Sequence, residues 1–227
     1  MKIKHVKTIL VLLTVAAIVS FSSCGRTKTK KDGGETASAT EKVMLFNGKD
    51  LSNWTFFLRD PSADASEVFT IKNGVIHISG DPFGYMRTGE VYGNYALHVE
   101  WRYPTEATNS GVFIHVQQPD TIWPKCFEVQ LKAGNAGDLL CMGGSDMNER
   151  TDKSTIIVAK LAESAEKPVG EWNKMEITCI SDNIDVTLND VLMNRATGTS
   201  LKEGHICLQS EGRAIEFRNV WLTRLKE

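Results

Sequence analysis

Candidate catalytic side chains stand at alternate positions of three segments. Glu128 and Gln130 lie two residues apart, Glu100 and Arg102 have the same spacing, and His115 lies on the segment between them. Residues two apart on a strand project from one face of a sheet. Such a face could supply a general base and a charge that stabilises an oxyanion. If the three segments are neighbouring strands, these five side chains form one polar patch.

The same patch also has a structural interpretation. Glu100 and Arg102 carry opposite charges that could pair on a solvent-facing sheet. A lone histidine such as His115 is more often a hydrogen-bonded structural residue than a proton carrier. The residues around Glu128 are partly apolar, which is typical of cleft walls. Glu128 and Gln130 are therefore stronger site candidates than the other three.

Three further residues are candidates for substrate binding, together with Gln130 and Glu100. Trp123 lies in TIWPK, just before the Glu128 segment, where it could stack on a sugar ring or shape the rim of a site. Tyr85 and Arg87, in GYMRT, could border the same site.

The elements that position these residues are predicted to be β-strands. Apolar and polar residues alternate over 97–103, 127–131 and 184–188, which is the period of a half-buried strand. Asn73-Gly74 and Asn189-Asp190 predict tight hairpin turns. Further strands are expected at 111–116, 173–180, 204–209 and 214–222.

About a dozen short strands and little helix predict an all-β fold, a sandwich of two antiparallel sheets. The short connections place 97–103, 111–116 and 127–131 in one sheet. The one helix is predicted within 159–166, before Pro168. The core is expected to hold four tryptophans: Trp54, Trp101, Trp172 and Trp221.

The N-terminus carries the pattern of an export signal. Lys2, Lys4 and Lys7 precede an apolar run over 9–21, so residues 1–23 are predicted to be a signal peptide. The following FSSC resembles a bacterial lipobox, which makes Cys24 the predicted lipidation site; ordinary cleavage would leave it an unmodified thiol. Residues 24–42 are polar and without periodicity, typical of a flexible tether. The folded domain is then 43–227.

Charge and composition exclude several classes of protein. The 227 residues include 26 basic and 28 acidic side chains, with no basic stripe, so a nucleic-acid partner is excluded. The basic stretch GRTKTKK after Cys24 favours a lipid-anchored protein of the bacterial cell envelope that faces the periplasm. The outer membrane is the expected location, and the sequence does not separate it from the inner membrane. The lipid is then its only attachment to the membrane.

The remaining cysteines and the missing motifs limit the chemistry. Cys126, Cys141, Cys179 and Cys207 include no CxxC pair, and we expect free thiols rather than disulfides. The sequence has no phosphate loop, dinucleotide fingerprint, nucleophile elbow or HExxH pair, so no cofactor is evident.

Six motifs in order resemble the bacterial 3-keto-disaccharide hydrolase family. They are LFNGKDLSNW (45–54), GYMRTGEVYGNYALHVEWR (84–102), NSGVFIH (109–115), FEVQL (127–131), GEWNKMEI (170–177) and ICLQSEGRAIEFRNVWL (206–222). The resemblance implies a concanavalin A-like jelly-roll sandwich that acts on glycosides oxidised at carbon 3 of the sugar. Two positions depart from the family pattern: His115 stands where arginine is common, and Glu211 where histidine is common.

A ketone at carbon 3 acidifies the proton on carbon 2, so cleavage by elimination and hydration becomes accessible. In that interpretation Glu128 or His115 is the base, Arg102 or Arg87 stabilises the enolate oxygen, and Gln130 anchors a hydroxyl. A divalent metal ion held by a Glu and a His could replace the arginine.

Two other functions compete with elimination. An ordinary retaining glycosidase needs two carboxylic acids about 5–5.5 Å apart, and the neutral Gln130 two residues after Glu128 disfavours it. A carbohydrate-binding module without catalysis would use the same fold.

Overall fold

The computed structural model describes residues 41–226. The predicted signal peptide, Cys24 and all but the last two residues of the predicted tether lie outside this range. Among the described residues, no helix is long and apolar enough to cross a bilayer.

Residues 41–226 form fifteen strands and one short helix, α1 (Ala65–Val68). The strands are β1 (Lys42–Met44), β2 (Trp54–Leu58), β3 (Phe69–Lys72), β4 (Val75–Ile78), β5 (Gly84–Thr88), β6 (Tyr95–Arg102), β7 (Gly111–Val116), β8 (Cys126–Gln130), β9 (Leu139–Met142), β10 (Ile157–Val158), β11 (Asn173–Ile180), β12 (Asn183–Leu188), β13 (Val191–Ala196), β14 (His205–Ser210) and β15 (Ile215–Arg224).

The strands form two antiparallel sheets, which confirms the predicted sandwich. The seven-stranded sheet has the order β10-β9-β8-β7-β14-β5-β2. The eight-stranded sheet has the order β13-β12-β11-β6-β15-β4-β3, with β1 paired to β15. The core lies between them and is filled by alternate residues of both sheets, such as Val99 and Trp101 from one and Phe127 and Val129 from the other. Each such side chain, fully buried, stabilises the fold by about 1.5–3 kcal/mol.

Both predicted hairpin turns are present. Asn73 and Gly74 join β3 to β4 with φ of 53° and 74°, and Asn189 and Asp190 join β12 to β13 with φ of 48° and 69°. Two successive positive φ values match the right-handed twist of the flanking strands, and Asn, Asp and Gly tolerate them best.

The prediction that three candidate segments share one sheet is wrong for 97–103. This segment forms β6, between β11 and β15 in the eight-stranded sheet, whereas β7 and β8 are neighbours in the seven-stranded sheet. The connection 103–110 therefore crosses from one sheet to the other. Alternation identifies a strand but carries no information on which sheet the strand joins.

The predicted helix within 159–166 is also wrong. The segment is an irregular connection whose Leu161 N–H donates to Met193 O at 2.6 Å. A short helix depends on capping and packing rather than on its own length, and here the backbone of the segment pairs with β13 instead. The helix that does form, α1, begins after Asp64, whose Oδ1 accepts from Ser66 N at 2.8 Å.

Two of the four tryptophans differ from expectation. Trp54 and Trp101 are buried in the core, but Trp172 and Trp221 are half-buried on the outward face of the eight-stranded sheet. Trp172 packs under the guanidinium of Arg218, 4.1 Å from its ring centre. Amphipathic aromatic rings are suited to such a surface position.

Candidate functional site

A cavity of about 400 Å³ opens on the outward face of the seven-stranded sheet. This size suits a ligand such as a sugar ring with its substituents. We call the cavity the pocket, and its walls are formed by Asn109, Trp123, Glu128, Gln130, Leu140, Cys141, Met142, Gly143, Gly144, Arg150, Ile156 and Glu211. We call this side of the sheet, with Cys126, Glu128 and Gln130 of β8, Phe113 of β7 and Leu140 of β9, the pocket face.

Glu128 is a buried carboxyl group with apolar neighbours. Its cross-strand partners are Phe113 on β7 and Leu140 on β9, and it is only 2% exposed. Within residues 41–226, no side chain or backbone group forms a hydrogen bond or ion pair with it. Burial raises the pKa of Glu128 to about 8, and the charge of Glu211 adds to the shift. The carboxyl group therefore holds its proton at neutral pH.

Gly111 gives the Glu128 side chain its room. A Cβ atom at Gly111 would lie 2.9 Å from the Glu128 carboxyl carbon, closer than two such atoms can approach. The carboxyl group thus lies over the β7 backbone, where a side chain would otherwise stand. Gly111 in the motif NSGVFIH is therefore required for this close approach.

Glu211, which follows β14, contributes a second carboxyl group to the pocket. The side-chain amides of Asn109 and Gln209 lie beside it. Gln209 is fully buried, and among the described residues no group completes a hydrogen bond to either atom of its amide or to Oδ1 of Asn109. Unpaired buried polar atoms are costly in a folded protein, and they are common where a ligand binds.

Gln130 is fixed at the wall by its own backbone. Its Oε1 accepts from the N–H groups of Leu131 at 3.0 Å and Lys132 at 2.9 Å. This leaves the Nε2 group as the donor available to a ligand in the pocket.

Arg150 brings a positive charge to the pocket from the loop between β9 and β10. Its Nε donates to Thr155 O at 2.7 Å and its Nη2 to Lys153 O at 3.1 Å, while Asp146 lies 3.5 Å from Nη1. These contacts hold the guanidinium in one place. Sequence reasoning missed Arg150 because it lies in a loop without periodicity, and the preceding Gly143-Gly144 pair is its only local signal.

Trp123 forms one side of the entrance to the pocket. Its side chain is 51% exposed, and its ring packs against Phe83 with 4.6 Å between ring centres. A half-exposed indole supported from behind is a suitable platform for an apolar sugar face.

Tyr85 and Arg87 do not line the pocket, but they hold the loop that carries Trp123. The Tyr85 hydroxyl donates to Thr121 O at 3.1 Å, and it lies 3.2 Å from Asp120 Oδ1. Arg87 Nε donates to the same Asp120 oxygen at 3.1 Å. Their contribution to a site is therefore the position of Trp123.

Glu100 and Arg102 lie on the other sheet, so the expectation that they join the site is wrong. Glu100 Oε2 accepts from Arg218 Nε at 2.6 Å, and its Oε1 accepts from Asn219 Nδ2 at 2.8 Å. Arg102 Nε donates to Glu216 Oε2 at 2.6 Å. We call this outward surface of the eight-stranded sheet, with His98, Glu100, Arg102, Glu216 and Arg218, the ion-paired face.

His115 does not reach the pocket either, although the sequence predicts it in one polar patch with Glu128. It has a φ of 54° at a shift in register between β7 and β14, so the extra residue turns its ring toward the core. There the ring packs edge-on against Tyr95, and Nδ1 lies 3.2 Å from Leu201 O. Burial lowers the pKa of His115 to about 4, which keeps the ring neutral.

A metal site formed by Glu128 and His115 is not supported, because the two side chains lie on opposite faces of the sheet. Within residues 41–226, no group of three or more His, Cys, Asp and Glu side chains is arranged to hold a metal ion. Cys126, Cys141, Cys179 and Cys207 are all buried free thiols.

Comparison with known proteins adds a family and a fold. Residues 41–223 match the family model of the 3-keto-alpha-glucoside-1,2-lyase-like domain. No curated protein matches the chain.

Among solved structures, two crystal structures of a candidate glycosyl hydrolase from Parabacteroides distasonis are similar over 82% of this chain. They have TM-scores of 0.61 and 0.62 and identities of 20% and 21%, and the match covers 94% and 100% of their chains. A β-glucanase from Bacillus licheniformis has a TM-score of 0.55 and 11% identity, covering 84% of this chain and all of its own. The carbohydrate binding module CBM66 from Bacillus subtilis has a TM-score of 0.52 and 12% identity, covering 74% and 93%. These structures share a jelly-roll sandwich with this chain.

Proposed function

This chain belongs to the 3-keto-alpha-glucoside-1,2-lyase-like family of carbohydrate-active domains, and from that premise we propose that its pocket cleaves glycosides oxidised at carbon 3 of the sugar. The ketone makes the carbon 2 proton acidic, so a carboxylate in the pocket can remove it. The group on carbon 1 then leaves, and water adds to the double bond. The net result is hydrolysis.

Glu128 is the observation that carries this proposal. This carboxyl group is 2% exposed, has no ionic partner and has a pKa of about 8, so its burial destabilises the fold. A residue with a purely structural role has no reason to carry that penalty, whereas a catalytic residue does. Its pKa lies near neutrality, where proton transfer by a carboxyl group is most effective.

The other walls fit a keto sugar. Arg150 is a fixed cation that can stabilise the negative charge developing on the carbon 3 oxygen, the role expected from Arg102 or Arg87. The Nε2 group of Gln130 can donate to a ring oxygen or hydroxyl. Trp123 provides a stacking surface at the entrance.

The test compares oxidised and unoxidised substrates. The domain 41–227 is incubated with methyl 3-keto-glucoside and with methyl glucoside, and release of methanol is measured. We expect turnover of the keto sugar and essentially none of the parent. A keto substrate deuterated at carbon 2 should lose its label to solvent, since the carbon 2 bond breaks and the carboxyl group that takes the deuteron exchanges it with water.

Other outcomes would replace the proposal. Cleavage of the unoxidised glucoside would assign the pocket to ordinary glycosidase chemistry. Binding of the keto sugar without turnover or label loss would assign it to a carbohydrate-binding module.

A further inference from the structure

We propose that Glu211 is a second catalytic residue of this pocket, the base that removes the carbon 2 proton, while Glu128 is the acid that protonates the leaving oxygen. This assignment rests on the proposed function, and it replaces the expectation that Glu128 or His115 is the base. Three observations carry it: the place of Glu211 between two cavities, the groups around it, and the proton balance of the reaction.

Glu211 lies where the pocket meets a second cleft. It lines both cavities, and the second cleft continues along Arg59, Asp60, Gly80–Phe83, Gly212 and Arg213. The wall between the two cavities includes Phe83, whose ring contacts Trp123 of the pocket. A glycoside with its sugar ring in the pocket and its leaving group in the second cleft would pass Glu211 at the bond to be broken.

The two carboxyl groups have different surroundings. Glu128 is enclosed by apolar neighbours, which favour its neutral form. Glu211 is half-buried, and burial raises its pKa, whereas the nearby amide dipoles of Gln209 and Asn109 and the charges of Arg59 and Lys132 oppose that shift. Gln209 lies near Glu211 without a closed hydrogen bond to it. When one proton is present on the pair, Glu128 therefore holds it and Glu211 is the carboxylate. Arg150 also lines the pocket and adds positive charge.

This distribution balances the protons of the reaction. The Glu211 carboxylate takes the carbon 2 proton, the electrons of that C–H bond form the double bond between carbons 1 and 2, and the C1–O bond breaks toward oxygen. Glu128 gives its proton to that oxygen. Hydration runs in the opposite sense: the Glu128 carboxylate takes a proton from water as water adds to carbon 1, and Glu211 returns a proton to carbon 2. The pair then holds one proton on Glu128 again.

The test uses Glu211→Gln and Glu128→Gln with two substrates of different leaving-group ability. Methanol is a poor leaving group that needs an acid, whereas 4-nitrophenolate leaves without one. We expect Glu211→Gln to lose about 10²–10⁴ in kcat on both methyl and 4-nitrophenyl 3-keto-glucosides, together with loss of deuterium washout from carbon 2. Glu128→Gln should lose a similar factor on the methyl substrate but at least tenfold less on the 4-nitrophenyl substrate.

The pH profile gives a readout that a structural role would not change. The wild type should have a bell-shaped kcat/KM, because only the singly protonated pair reacts. Glu128→Gln should lose the basic limb, and Glu211→Gln the acidic limb of its residual activity. Glu163→Gln, at an exposed site outside both cavities, is the matched control and should resemble the wild type. Thermal unfolding of each variant is followed in parallel.

Two results would overturn the assignment. If Glu211→Gln keeps full activity on both substrates, Glu211 has no catalytic role. If the leaving-group dependence appears in Glu211→Gln instead of Glu128→Gln, the roles are reversed. In both cases the wild type still cleaves the keto sugar, so the proposed function stands; failure of the wild type to do so would remove the proposed function itself.

Discussion

The two outward faces of the sandwich both carry glutamate side chains, but these are paired with positive charges on one face and unpaired on the other. On the ion-paired face, Glu100 contacts Arg218 and Asn219, and Glu216 accepts from Arg102, so the charges are neutralised in place. On the pocket face, Glu128 has no ionic partner among the described residues, and the buried amide of Gln209 is unpaired. The charges of one face are paired within the fold, whereas the pocket face keeps a buried carboxyl group without an ionic partner.

Glu100 and Glu128 show how strongly the surroundings of a glutamate determine its pKa. Burial alone would raise the pKa of Glu100, but Asn219, Arg218 and His98 together lower it. Burial raises the pKa of Glu128 to about 8, because no opposite charge compensates it. Sequence alternation alone treats the two residues alike. Their partners across the sheet make one structural and the other a candidate for catalysis.

The largest expected effect is on activity. Glu128→Gln should lower kcat on methyl 3-keto-glucoside about 10²–10⁴-fold, because it removes the proton that the leaving oxygen needs. Glu100→Gln, the matched change on the ion-paired face, should leave kcat within about threefold. Steady-state kinetics at pH 7 measure both. Equal losses in the two variants would mean that the contrast between the faces concerns stability alone.

The second prediction compares substitutions of one arginine from each face, Arg150 and Arg102. Arg150→Gln should cost about 10²–10³ in kcat/KM, because the enolate oxygen loses a fixed positive charge. Arg102→Gln should leave kcat/KM unchanged within about twofold, since Arg102 contacts Glu216 on the other sheet. Arg150→Lys keeps the positive charge but lacks the planar guanidinium with its several N–H donors. We expect a loss in kcat/KM between those of the other two variants. Full activity in Arg150→Gln would remove this residue from the site.

Local patterns predicted most of the fold but little of the site. β7 and β11 have the predicted bounds, 111–116 and 173–180, because alternation is a local property. Sheet membership depends on pairing between distant segments, so 97–103 was assigned to the wrong sheet. His115 was misplaced because one extra residue in the ladder reverses the alternation after it.

Among the predicted catalytic and binding residues, those on β8 and in the loop before it are the ones that lie at the pocket. Glu128 and Gln130 line the pocket from β8 and Trp123 lies at its entrance; their roles there stay predictions. Arg150 lies in a loop and Glu211 follows the end of a strand, so no period marks them. Their approach to Glu128 is a result of tertiary folding alone.

The third prediction gives the two faces opposite pH dependences of stability. The folded-state pKa of Glu128 is raised above its ordinary 4.5, so the wild type should lose stability as pH rises from about 4.5 to about 8, by at most about 1.4 kcal/mol per pH unit. Glu128→Gln should lack this loss and be more stable than the wild type at pH 8.

Glu100 has the opposite sign. Its pKa is lowered in the fold, so its contribution is present above pH 4.5 and lost as pH falls through the lowered value. Glu100→Gln should therefore destabilise the protein by about 1–3 kcal/mol at pH 7, and the difference should vanish in acid. Urea unfolding at pH 4, 6 and 8 measures both variants. Parallel pH curves for the two variants would contradict the assignment of opposite environments.

The smallest expected effect concerns His98 on the ion-paired face. Its Nδ1 lies 2.6 Å from Glu176 Oε1, and this contact raises the pKa of His98 against the effect of burial. The stability it contributes is therefore present below about pH 6.5 and lost as pH rises through the raised value. Because the Glu176 side chain is 37% exposed, we expect this contact to contribute less than about 1 kcal/mol to the free energy of unfolding.

Glu176→Gln should lower the pKa of His98 in an NMR titration, with Glu163→Gln as control, and leave kcat unchanged. An unshifted His98 would show that Glu100 alone sets its charge, and a fall in kcat would mean that the two faces are coupled through the core.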